Sequence, residues 1–62
     1  MMEKKCIIQL KVNNNIFYIT ENFDPSKDIE DAFTFIGKNR VKKICQRIEK
    51  DKRVKTKIIE VS

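Results

Sequence analysis

The sequence predicts an α+β domain of ββαβ or ββααβ order, on three observations: two apolar, strand-like stretches joined by a run of asparagines, apolar residues at helical spacing through the middle, and a closing β-branched stretch. The implied sheet is three-stranded and antiparallel, in the order 2-1-3, with the helices on one face. A hairpin followed by a helical return delivers the last strand antiparallel to the first.

Lys5 to Val12 alternates cleanly, with Cys6, Ile8, Leu10 and Val12 on one face and Lys5, Ile7, Gln9 and Lys11 on the other. Asn13-Asn14-Asn15 separates it from Ile16 to Thr20, which is β-branched and aromatic throughout. A two-residue turn at Asn14-Asn15 pairs Val12 with Phe17 and Leu10 with Ile19, and gathers the apolar side chains on one face. One more loop residue pairs Val12 with Ile16 and turns Phe17 and Ile19 toward the side of Gln9 and Lys11, since a slip by one flips a strand. The two-residue turn is therefore expected, and Asn tolerates the positive φ of a type I′ turn.

Glu21 to Asp28 holds the only Pro and reads as a loop into helix, with Asp24, Ser26 or Asp28 as the N-cap. Asp28, Glu30 and Asp31 then suit the positive end of a helix dipole. Ile29, Ala32, Phe33 and Ile36 have helical spacing, and so do Val41, Ile44, Cys45 and Ile48. On one continuous helix the two sets centre about 100° apart, too far for a single buried stripe. A break near Gly37 is expected, with a short helix to about Ile36 and a longer one from Lys38 to Asp51. Val54 to Val61 closes the sheet, with Ile58 or Ile59 facing away from the helices. The expected core is Ile8, Leu10, Phe17, Ile19, Phe33, Ile44 and Ile48, with Phe35 pointing away from Ile29 and Phe33 and packing under the loop.

At 62 residues, 40% hydrophobic and 37% charged, residues 1–62 suit one small soluble domain of modest stability. No apolar run approaches the roughly 18 residues of a membrane span, and Met1-Met2-Glu3-Lys4-Lys5 leads into a strand rather than a signal-peptide core, so a cytoplasmic protein without membrane contact is expected. Two cysteines and no histidine cannot furnish a four-ligand zinc site. Neither metal nor cofactor is expected, and Cys6 and Cys45 read as small buried hydrophobes.

Charge is segmented: residues 21–36 carry net −4 and residues 37–57 net +8. Lys38, Arg40, Lys42, Lys43, Arg47, Lys50 and Arg53 are the candidate binding residues, spread opposite the apolar stripe of the longer helix, with Lys52, Lys55 and Lys57 extending the basic run. Such a surface fits an acidic or phosphate-bearing partner. Ile16 and Tyr18, on the sheet face away from the helices, form a second candidate patch or a homodimer contact.

Catalysis is not expected. One Gly cannot build a phosphate loop, no nucleophile–His pair exists, and Asp28 and Asp31 lack a matching general base. The RNA-recognition aromatic motif, zinc-finger ligands and a helix-turn-helix pair are also missing. The expected function is a non-enzymatic small binding protein, a regulator or inhibitor acting on a host protein or nucleoprotein complex. Eleven Lys, ten Ile and five Asn, all with A/T-rich codons, suggest a phage or other mobile element, and counter-defence such as an anti-CRISPR role is one example. The alternative is direct DNA or RNA binding by the basic helix.

Overall fold

The computed structural model describes residues 4–61. In chain order it contains β1 (Lys5–Val12), β2 (Asn15–Ile19), β3 (Pro25–Ser26), a 3₁₀ turn (Ile29–Asp31), β4 (Phe35–Ile36), α1 (Lys38–Lys52) and β5 (Lys55–Glu60). All strand pairings are antiparallel. β1 is the centre. One of its edges pairs with β5 from Cys6 to Lys11. Its other edge pairs with β2 from Gln9 to Val12 and with β4 at Lys5 and Cys6, and β3 extends the sheet beyond β2. The expected three-stranded 2-1-3 sheet is thus replaced by a larger, five-stranded one.

The β1–β2 hairpin has the expected two-residue turn, placed one residue earlier. Asn13 and Asn14 both take positive φ, 49° and 71°, as a type I′ turn requires. Leu10 therefore faces Phe17, and Val12 faces Asn15 rather than Phe17. The physical reason is parity. Moving the turn by one residue shifts the pairing by two, which leaves every side chain on its face, so the apolar pattern fixes the face but not the step along the strand. With three consecutive asparagines, either pair can supply the positive φ.

Residues 29–36 depart from the expected short helix. A single 3₁₀ turn forms after Asp28, whose side chain makes no capping bond, and Ala32 is already extended at φ −64°, ψ 129°. With only one turn there is no helix dipole for Asp28, Glu30 and Asp31 to complement. Ser26 Oγ instead donates to Asp31 Oδ2 (2.8 Å) and accepts from the Asp28 N–H (3.3 Å). Phe33-Thr34-Phe35-Ile36 is aromatic and β-branched, which favours extended backbone, and β2 does not cover the β1 edge at Lys5 and Cys6. β4 takes that edge: Phe35 pairs with Cys6 and Ile36 with Lys5, and the Gly37 N–H donates to the Lys4 carbonyl at 3.1 Å. Strand alternation then sends Phe35 into the core, whereas Phe33 remains 38% exposed and packs edge-on against the Phe35 ring at 4.9 Å. The expected burial of Phe33 is corrected accordingly.

The break at Gly37 is observed, at φ 95°. A Cβ there would meet only Arg40 Cβ, at an ordinary 3.9 Å. What requires glycine is the dihedral, not space. α1 starts directly after it and ends at Arg53, whose left-handed backbone (φ 53°) lets its N–H reach the Glu49 carbonyl at 2.9 Å.

Val41, Cys45 and Ile48 of α1 pack on Cys6, Ile8, Leu10, Ile19 and Phe35, with Phe17, Ile44, Val54 and Ile58 half-buried against them. Ile58 faces the helix and Ile59 faces away, opposite Ile7. Leu10→Ala is expected to cost about 2–5 kcal/mol and Phe35→Ala about 3–5 kcal/mol, against about 1 kcal/mol or less for the half-exposed Ile36→Ala. Chemical denaturation checks this, and similar losses at residues 35 and 36 would contradict the strand assignment.

Candidate functional site

The turns of α1 that bury Val41, Cys45 and Ile48 direct Arg40, Lys42, Lys43, Arg47 and Lys50 outward, and all five are exposed. Among the described residues none of the five takes part in an ion pair. Lys38 differs. Its Nζ lies 3.2 Å from Glu60 Oε1, which also receives Lys4 Nζ at 3.5 Å, and these contacts hold the Glu60 carboxyl below its ordinary pKa. Arg53 is exposed at the left-handed end of the helix.

The helix is set on the sheet by one tie. Both the backbone N–H and the hydroxyl of Thr56 donate to Glu49 Oε2, at 3.0 and 2.9 Å. This joins the last turn of α1 to the start of β5. It also satisfies an outward-pointing donor on the free edge of β5. The same two bonds lower the Glu49 pKa.

Beside the basic face lies an open groove of about 430 Å³, lined by Phe23, Ile44, Arg47, Ile48, Asp51 and Lys52. Phe23, at φ 64°, sits in a turn closed by its N–H on the Thr20 carbonyl (2.9 Å) and by the Thr20 N–H on the Asp24 carbonyl (2.9 Å). Its ring is 6.0 Å from that of Phe35, yet it remains 52% exposed. No periodic pattern in the sequence points to this groove, because Phe23 belongs to a loop.

Ile16 and Tyr18 do not join the basic helix face. They lie on the opposite face of the sheet, and so do Lys55 and Lys57, because Thr56 and Ile58 are the β5 residues that face α1. The expected continuous basic run is therefore divided between two sides of the molecule. Cross-strand partners share a face, so the pairings give the helix-free face row by row. Ile16, Lys11 and Lys55 form one row, and Ser26, Tyr18, Gln9 and Lys57 the next. Ile7 and Ile59 follow, then Ile36 and Lys5 with Val61, whose N–H donates to the Lys5 carbonyl at 2.9 Å. Gln9, Lys11 and Lys5 lie outside the binding residues expected from the sequence. Their alternation in β1 against that of β5 was the available signal.

Cys6 and Cys45 are free and buried. Burial pushes the Cys45 thiol above its ordinary pKa, partly offset by its hydrogen bond with Thr56, which suits packing rather than nucleophilic chemistry. Among the described residues no cluster of three or more His, Cys, Asp or Glu side chains is arranged to hold a metal. No helix there is long and apolar enough to cross a membrane. Compared with protein-family models, curated proteins and solved structures, the chain matches none.

The Glu49–Thr56 tie makes a pH prediction. A carboxylate with a lowered folded-state pKa contributes stability that is present above the ordinary value of 4.5 and is lost as pH falls through the lower folded-state value. Glu49→Gln is expected to lower the denaturation midpoint at neutral pH, and the gap to the parent is expected to narrow below about pH 4.5. A gap independent of pH would mean that the ionised carboxylate is not what holds Thr56.

Proposed function

We propose that the protein is a non-enzymatic binding protein that docks the outer face of α1 onto an acidic surface of a protein or nucleoprotein complex. The observation that carries this reading is that Arg47, one of five exposed basic side chains on α1 with Arg40, Lys42, Lys43 and Lys50, also lines the open groove formed with Phe23, Ile44 and Ile48. Binding energy at protein interfaces concentrates where apolar anchors fill pockets, while surrounding charges steer and orient the encounter. A bare phosphate backbone has no group for an apolar groove.

Within this reading the protein acts in the cytoplasm as a regulator or inhibitor of host machinery, encoded by a phage or other mobile element. Support for that narrower role comes from chain length and from the Lys, Ile and Asn content. Direct nucleic-acid binding by α1 is the rival.

Affinity capture from a low-GC bacterial lysate, with and without nuclease, tests the class of partner: recovery of one acidic protein that survives nuclease supports docking on protein. Replacing Lys43, Arg47 and Lys50 together by Glu is expected to abolish that recovery with the fold retained, since all three side chains are exposed. Undiminished binding by the triple variant would end the proposal. A log–log salt slope approaching −0.9 per phosphate contacted would transfer the helix face to duplex DNA.

A further inference from the structure

The helix-free face of the sheet is composed differently from an ordinary solvated face. Lys11 and Lys55 are direct cross-strand partners, and like charges in that position repel. Lys57 stands two residues along β5 from Lys55, about 7 Å away by strand geometry, so three ammonium groups crowd one corner. The rows that hold the lysines carry no carboxylate among the described residues. The acids of this side gather at the β3 margin, beyond Tyr18: Asp31 is held there by Ser26 Oγ (2.8 Å), and Asp24 lies one step past Ser26, its carbonyl accepting from the Thr20 N–H (2.9 Å). Between that margin and the lysines lie the half-exposed ring of Tyr18 and the amide of Gln9, cross-strand partners in one row. Ile16, Ile36 and Val61, 44–49% exposed, flank them.

We propose that this face binds single-stranded nucleic acid, with a base stacked on Tyr18, the adjoining phosphates on Lys11, Lys55 and Lys57, and Gln9 placed between them to hydrogen-bond a base edge. The dimensions agree. Two strand spacings, about 10 Å, separate Tyr18 in β2 from Lys57 in β5, a span of the order of one nucleotide from base to phosphate. Asp31 fixes the polarity by repelling phosphate from the β3 side. Stacking platforms beside a basic track bind single strands in this way. A duplex cannot present a base face to Tyr18. The carboxylates of an acidic protein would satisfy the lysines and leave the ring unused. The inference concerns the side of the sheet opposite the α1 surface and does not depend on the function proposed for it.

The probe is a 5′-fluorescein-labelled 12-residue oligo(dT), titrated by anisotropy at low salt. Three phosphate contacts predict a log–log salt slope of about −2. Replacing Lys11, Lys55 and Lys57 together by Gln is expected to flatten that slope and weaken binding ten-fold or more. Tyr18→Leu is expected to weaken it about 5- to 100-fold at unchanged slope, and Tyr18→Phe to restore most of the loss. Tyr18 is the only tyrosine, so its ring protons give an unambiguous NMR signal, expected to move upfield when a base stacks. The proposal is overturned by failure to bind or by equal affinity for the matching duplex. Displacement by an equal charge concentration of poly-glutamate, or shifts confined to α1, overturns it too. So does a concentration-dependent dimer that shields Tyr18 without the oligonucleotide.

Discussion

β1 is hydrogen-bonded along both edges, and most of the structure follows from that. Because β5 occupies one edge from Cys6 to Lys11, the other must serve both β2 and β4, and the chain between them has to bend back to reach Lys5 and Cys6. Alternation along β1 then assigns the two sides of the molecule. Cys6, Ile8 and Leu10 meet α1, while Ile7, Gln9 and Lys11 face away. Among the described residues the one helix, of 15 residues, covers one side of this sheet. On the other side Ile7, opposite Ile59, is still only 5% exposed.

The sequence was informative where a local pattern and a tertiary need coincide. The alternation of β1, the helical spacing from Val41 to Ile48, the positive-φ residues at the asparagine turn and at Gly37, and the split between Ile58 and Ile59 all belong to that class. It was ambiguous where one pattern serves two structures. Ile29, Ala32, Phe33 and Ile36 fit a helix, yet Phe33-Thr34-Phe35-Ile36 fits a strand equally well, and only the unfilled edge at Lys5 and Cys6 decides between them. That edge is distant in sequence, so no local reading contains it. The hairpin shift has a related cause, since parity constrains a register only modulo two.

The same distinction applies to the candidate site. Exposure of Arg40, Lys42, Lys43, Arg47 and Lys50 follows from helix phase, which local spacing specifies. Lys55 and Lys57 do not continue that surface, because the period changes at Val54, where one-sided helical spacing gives way to two-sided alternation. Net +8 over residues 37–57 is a property of the chain, not of a surface. The groove under Phe23 lay beyond pattern altogether, because a turn and a helix flank form it together.

Where the charges sit works against the fold. The first turn of α1 holds Lys38 and Arg40 and no acidic residue, and Gly37 gives its exposed N–H groups no side-chain cap, so cations face the positive end of the dipole. Glu60 relieves Lys38 only in part, through exposed contacts that salt screens. Lys11 opposite Lys55 adds a second repulsion across the sheet. Neither arrangement is demanded by packing, since uncharged polar side chains would serve the exposed backbone as well. In a domain this small, with little stability to spare, unfavourable charges on both sides are hard to explain by solvation alone, because interspersed acids would solvate the same surfaces without the repulsion. Local rules broken without structural return mark the places where binding, rather than folding, sets the residue. That argument supports both proposed surfaces, which lie back to back across the strand they share.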